Sequence, residues 1–224
     1  MQIKRALLSV WNKDGIVELG QFLAAQNIEI LSTGGTKEVL EKAGLDITSI
    51  SFLTGSGAVM DGRVKTLHPK VFGGILADRE NPQHLHDLEY LHGLEIDIVV
   101  VNFYPFVQEA VEKKLKFKKA IEFIDIGGPS MIRAAAKNYH SVLPICNPGL
   151  YSEFMDTFTE TDGDIPLDFR EKLAAEVFAM TADYETAIYN YFSMGADELP
   201  ENLNINLKKS SELRYGENPH QEAA

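Results

Sequence analysis

The run Ile96 to Val101, IDIVVV, restricts more than any other stretch what this chain can fold into. A continuous β-branched segment offers no polar face to water, so it suits a strand covered on both sides, as in a parallel sheet. The segments around it fit. Ala6 to Val10 reads as a strand, and Asp14 to Gln26, with Ile16, Leu19, Phe22 and Leu23 at helical spacing, reads as a helix. Ile28 to Leu31 is the next strand, Lys37 to Ala43 a helix closed by Gly44, and Ile47 to Ile50 a third strand. Gln83 to Leu91 reads as a helix ended by Gly93, and Val142 to Ile145 as a last strand. The sum is an α/β fold with a mostly parallel sheet flanked by helices.

Beyond that strand the pattern turns helical. Leu150 to Phe158 and Asp168 to Phe192 read as helices packed on the sheet, so a core of about residues 1–146 carries a C-terminal helical extension of about residues 147–200. Residues 201–224 are polar and weakly patterned. A chain of 224 residues can bury a core without staples, and the single cysteine, Cys146, has no internal partner, which fits a reducing compartment. No apolar run approaches the roughly 18 residues of a membrane span, and MQIKRALLSVWNKDG has too short an apolar stretch for a secretory signal. A cytoplasmic protein with no membrane partner is expected. With 21 basic against 33 acidic residues, net −12, nucleic acid is not an expected partner either.

In an open parallel sheet, ligands bind at the carboxyl ends of the strands, so polar strand ends are where chemistry is sought. SVWNKDG sets Ser9 and Lys13 around the turn out of the first strand; a cap at Asn12 beside an exposed lysine is the ordinary alternative. LSTGGT, Leu31 to Thr36, joins two glycines and three hydroxyls to a helix start, the makings of a phosphate cradle, although a capped tight turn has the same composition. It is neither a Walker loop nor a GxGxxG fingerprint. In GRVKTLHPKVFGG, an extended Arg63 to Leu67 puts Arg63 and Lys65 on one side and Val64 and Thr66 on the other. Two cations on one side can hold a phosphate or a developing oxyanion, against the alternative of a solvated basic loop. Nothing near His68 has metal-ligand spacing, so no metal is expected. VVVNFYPF ends a buried strand in Asn102 and Tyr104, which alternation places on one side; a capped strand end is the alternative.

The stretch FIDIGGPSMIRAAAKNYH, Phe123 to His140, carries a lone acid, Asp125, between Ile124 and Ile126. Pro129 suits the first position of a helix, making Gly128 the expected cap and leaving free N–H groups near Gly127 and Gly128. An acid just ahead of a positive helix end is favoured in its ionised form, so as a base Asp125 is expected to act through position rather than a raised pKa. Lys137 lies about 12 Å further along the axis than Pro129. The alternative is a turn acid and a surface lysine.

These blocks, in this order, resemble the inosine monophosphate (IMP) cyclohydrolase domain family of the bifunctional transformylase/cyclohydrolases of purine biosynthesis. SVWNKDG, STGGT, GRVKTLHPKVFGGILA, NFYPF and IDIGGPSMIRAAAKN carry the resemblance over residues 1 to about 200. It implies a methylglyoxal-synthase-like fold and closure of the purine six-membered ring in 5-formamidoimidazole-4-carboxamide ribotide, giving IMP and water. No cofactor is implied. By the same resemblance Lys65, Tyr104, Asp125 and Lys137 are the catalytic set. The substrate contacts are Ser9, Trp11, Asn12, Lys13, Thr33, Gly34, Gly35, Thr36, Arg63, Val64, Thr66, Val101, Asn102, Ile126, Gly127 and Gly128. Trp11 stands where some relatives carry a small hydroxyl residue, so its expected contact is the backbone N–H. In that scheme Asp125 takes the carboxamide proton, Lys65 and the N–H groups after Asp125 hold the former formyl oxygen, and Lys137 and Tyr104 shuttle protons as water leaves.

LRYGENPHQ, Leu213 to Gln221, resembles the opening of the family's transformylase domain, so residues 201–224 are expected to be a linker into it and formyl transfer is not expected of this chain. The resemblance implies a homodimer, weaker without the transformylase domain. Two other classes stand as alternatives: a methylglyoxal synthase-type lyase, which has the same fold and a similar glycine-threonine phosphate loop, and a non-catalytic nucleotide-sensing module. The RVKTLHP and NFYPF blocks and the helical extension speak against the first; the second leaves Lys65, Asp125 and Lys137 without a shared purpose.

Overall fold

A computed structural model describes residues 3–104, 106–193, 202, 204–207 and 209–214. Five strands, β1 (Arg5–Val10), β2 (Glu29–Ser32), β3 (Thr48–Ser49), β4 (Ile98–Asn102) and β5 (Leu143–Ile145), form one sheet in the order β3-β2-β1-β4-β5. Every pairing is parallel, with Leu7 opposite Leu31 on one side and Val99 on the other. The chain moves outward from β1 to β3, then returns to β4 on the other side of β1. That reversal creates the crevice in which ligands of such sheets bind.

The apolar run is β4, and its alternation explains its composition. Val99 and Val101 join Leu7 and Leu31 on one face, while Ile98 and Val100 join Ala6, Leu8, Val10 and Ile30 on the other. The second face is covered by α1 (Ile16–Ala25), α2 (Gly34–Lys42) and α8 (Tyr151–Glu160), through Ile16, Leu19, Leu40 and Phe154. The first is covered by α3 (Ile50–Thr54), α4 (Pro69–Leu76), α7 (Gly127–Lys137) and α9 (Leu167–Ser193), through Ile50, Val71, Ile132 and Val177. Two short helices, α5 (Pro82–Tyr90) and α6 (Phe117–Ala120), a π-helical turn at Val107–Glu112 and 3-10 turns at Ile121–Phe123 and Pro148–Leu150 complete the described elements.

Several local expectations shift. The third strand keeps only Thr48 and Ser49, because Ser49 accepts the Ser51 N–H and starts α3 at Ile50. GRVKTLHPK is not extended. Val59 and Val64 form an antiparallel bridge around a turn in which Met60, Asp61 and Gly62 all have positive φ, and His68 then caps α4, with Pro69 in its first turn. Helix α7 starts two residues before Pro129, at Gly127, with Ile126 rather than Gly128 at the cap. It is no surface helix: Met131, Ile132, Ala134, Ala135 and Ala136 are all buried between β4 and α9. The alanines are what let that helix lie close to both neighbours. Of the segment Leu213 to Gln221, only Leu213 and Arg214 fall among the described residues.

Candidate active site

The carboxyl ends of β1, β2 and β4 open into a cleft of ≈ 840 Å³, within the usual range for small-molecule sites. Its walls take Ser9, Trp11 and Lys13 from the β1 end, Thr33, Gly35 and Thr36 from the β2–α2 turn, and Asn102 and Tyr104 from the β4 end. Arg63, Lys65 and Thr66 come from the 55–68 loop, and Asp125 to Gly128 from the start of α7. Most of the residues anticipated from separate sequence blocks thus share one cavity.

Some are there to hold the walls. Thr36 is buried; its hydroxyl accepts the Val10 N–H and donates to the Val10 carbonyl, both at 3.0 Å, tying α2 to β1. The Asn102 carboxamide oxygen accepts the N–H groups of Trp11 and Asn12, each at 2.8 Å, and its amide donates to the Asn12 carbonyl. Asn102 is therefore the clasp of the 11–13 turn, and the Trp11 N–H expected for a ligand is already used. Val101 is core, Val64 sits at its bridge, and neither lines the cleft. Asn12 faces a neighbouring cavity of ≈ 480 Å³, which shares Trp11 and Asn102 with the cleft and continues to Cys146 and α9.

The positive end of the cleft is built around α2. Thr33 caps that helix with extended backbone but no side-chain capping bond, and a Cβ on Gly34 would stand 3.7 Å from Lys65 Nζ. The Lys65 ammonium thus hangs over a helix amino end, where an anion is favoured. Lys13 Nζ donates to the Val10 and Trp11 carbonyls, and burial, then the Lys65 charge, lowers its pKa. Arg63 is not free for the same anion: it meets both carboxylate oxygens of Glu122 at 2.6 Å, an exposed pair across the cleft mouth.

At the other end stands Asp125. Its side chain accepts the Gly128 N–H at 3.1 Å, and its own N–H is donated to the Tyr184 hydroxyl at 2.8 Å. The double glycine follows from the crowding: a Cβ on Gly128 would come within 2.6 Å of the Asp125 carboxylate, and one on Gly127 within 2.9 Å of the Thr66 hydroxyl. Burial raises the Asp125 pKa, outweighing the Gly128 N–H, the Lys65 charge and the Gly127 N–H that pull it down. The expectation of an unraised carboxylate at a helix end is therefore corrected, because the acid is withdrawn from water. The Gly128 N–H is thus directed to Asp125 itself rather than left free for a substrate oxygen. Tyr104 is half-exposed between Trp11 and Phe123, with ring centroids 6.0 and 6.1 Å away.

Lys137 is not in the cleft. It is exposed at the far end of α7, about 15 Å along the axis from Gly127. Conversely, Asp61, Gly62, Ile121, Glu122, Ile124 and Met131 line the cleft without having been singled out. The cluster of turn-formers MDG beside RVK was the available signal for the first two; Glu122 carries none, since its role depends on a contact with a residue 59 positions away. Among the described residues, no group of three or more His, Cys, Asp or Glu could hold a metal ion, and no helix is long and apolar enough to cross a membrane.

Comparison with known proteins agrees with the fold. Residues 15–130 match the model of the MGS-like domain, and residues 135–224 that of the AICARFT/IMPCHase bienzyme. The bifunctional purine biosynthesis protein PurH of Clostridium kluyveri is 47% identical over 222 residues, 99% of this chain and 44% of the relative. PurH of Acetivibrio thermocellus is 47% identical over 223 residues, 99% of this chain and 43% of the relative. The chain therefore spans under half the length of these relatives. A solved structure titled "Crystal structure of ForH" superposes with a TM-score of 0.76 at 30% identity, covering 87% of this chain and 100% of that one. The chain belongs to the AICARFT/IMPCHase bienzyme family, the PurH proteins of purine biosynthesis, and carries that family's MGS-like domain.

Proposed function

We propose that this chain is an IMP cyclohydrolase, closing 5-formamidoimidazole-4-carboxamide ribotide to IMP in the cytoplasm. The observation that carries the reading is the meeting of a half-buried, N–H-anchored carboxylate, Asp125, with a cationic helix amino end at Lys65 in one cleft. The ribotide phosphate lies at the α2 amino end near Lys13, Lys65 and Thr33, and the base reaches toward Asp125 and Tyr104. Asp125 removes a proton from the carboxamide nitrogen as that nitrogen adds to the formyl carbon. Lys65 steadies the negative charge that develops on the formyl oxygen. The oxyanion takes up a proton to give the carbinolamine, whose hydroxyl, protonated through Tyr104 or Lys65, leaves as water while the former formamide nitrogen gives its N–H proton back to that emptied donor, and the ring C=N bond so formed completes IMP. Both reacting groups belong to one substrate, so the site supplies orientation and proton transfer and the scheme calls for no cofactor.

Lys137 receives no step here, since its placement on α7 keeps it out of the cleft. The domain proposed to act comprises residues 1–200, and a homodimer of the chain is to be read by sizing in solution. The experiment that tests the reaction gives the purified chain the formamido ribotide and, separately, dihydroxyacetone phosphate. IMP from the first and nothing from the second is the expected result. Methylglyoxal without IMP points to the lyase class, and neither product to a nucleotide sensor.

A further inference from the structure

The Asp125 turn is held from a distance. Its backbone N–H is donated to the hydroxyl of Tyr184, a residue of α9, and that same hydroxyl also reaches the Phe123 carbonyl at 3.5 Å. Tyr184 is buried, and its ring lies edge-on against Phe103, between Asn102 and Tyr104, at 4.5 Å. One phenol thus touches both chain segments that bring polar groups into the cleft from this side. We propose that Tyr184 is a positioning residue for Asp125, its hydroxyl bridging Phe123 and Asp125 so that the carboxylate is presented, fixed, at the start of α7. The proposal rests on the reading of Asp125 as the base.

The bridge suits its task. Burial pushes the phenol up to about 12, so the hydroxyl stays neutral and can accept and donate at once. The charged and titratable groups around Asp125 are Lys65 on the 55–68 loop, Tyr184 and Glu185 on α9, and Arg63, Tyr104 and Glu122 along the cleft. None of these replaces the hydroxyl as a partner for the Asp125 N–H. Through this contact the helical extension takes part in the chemistry as well as in covering the sheet. A carboxylate that drifts from its substrate nitrogen loses rate steeply, since proton transfer and attack both depend on alignment.

Tyr184→Phe tests it, because the ring can keep its place against Phe103. The expected result is a fall in kcat for ring closure of about tenfold or more with KM nearly unchanged. The Asp125 carboxyl, followed by carbon NMR, should titrate lower than in the wild type, as a loosened turn admits water. The Asp125 amide of the wild-type protein should exchange slowly. An unchanged kcat, an unmoved carboxyl titration, or an Asp125 amide that exchanges freely in the wild type each overturns the proposal. So does a fall in kcat accompanied only by a lower Tm, which is the mark of plain packing. Absence of IMP from the wild-type chain would remove the assigned reaction but not the positioning, which the titration and the amide exchange decide alone. Amide exchange needs no variant, so it decides the matter even if Tyr184→Phe fails to fold.

Discussion

A single carboxylate shows how this site sets reactivity against stability. Asp125 is withdrawn from water, so the folded protein binds its proton more tightly than the unfolded chain does. The stability linked to this group is fully present below the ordinary carboxylate pKa and is lost as pH rises through the raised folded value. At neutral pH the ionised side chain therefore costs stability, and Asp125→Asn removes that cost while its amide oxygen still accepts the Gly128 N–H. Turnover should drop by about a hundredfold or more, with a Tm at pH 7 equal to or above that of the wild type. A thermal melt beside an IMP assay checks both, and a lowered Tm with intact turnover would remove Asp125 as the base. Asp125 was legible in the sequence as an isolated acid before Gly-Gly-Pro. Its raised pKa was not, because burial comes from α7 and α9 closing around it.

Among the elements, α2 and α7 do different work with similar amino ends. The start of α2 is left open: a Cβ on Gly35 meets nothing within 4 Å, and Gly35 lines the cleft. Gly35→Ala should leave the fold intact, adding up to about 0.5–1 kcal/mol through helix propensity. Its methyl would stand where the ribotide phosphate is placed, so KM should rise several-fold; a melt and a KM measurement separate the two effects. The start of α7 is instead closed by its own acid. Periodicity found most helices, yet α3 and α4 escaped it because they begin on local caps, Ser49 and His68, inside segments that read as strand and basic loop. Asn102 was legible as a polar strand end. Its use as the clasp of the Trp11–Asn12 turn was not, because that bond joins residues 90 positions apart.

At the level of the whole molecule, β4 is buried and apolar from Ile98 to Val101 and turns polar at its carboxyl-end residue, Asn102. Val99 is fully buried in the cluster that includes Val101 and the α7 alanines. Val99→Ala should cost about 2–3 kcal/mol, the loss of buried methyl area plus a small cavity, and leave kcat per folded molecule unchanged. A urea melt and a per-active-site rate check this, and a parallel loss of kcat would show that the site depends on core packing beyond simple support. The sequence by itself determined the sheet, its parallel sense and the strand ends that bear chemistry, since these follow from β-branched runs, helical spacing and glycine-rich turns that act locally. Only the tertiary structure decided which of those polar groups face a ligand and which face one another. Arg63 with Glu122, Asn102 with the β1 turn, Tyr184 with Asp125 and the removal of Lys137 to a distant helix end are contacts or separations between remote parts of the chain. Their energies depend on burial and alignment that no short stretch of residues specifies.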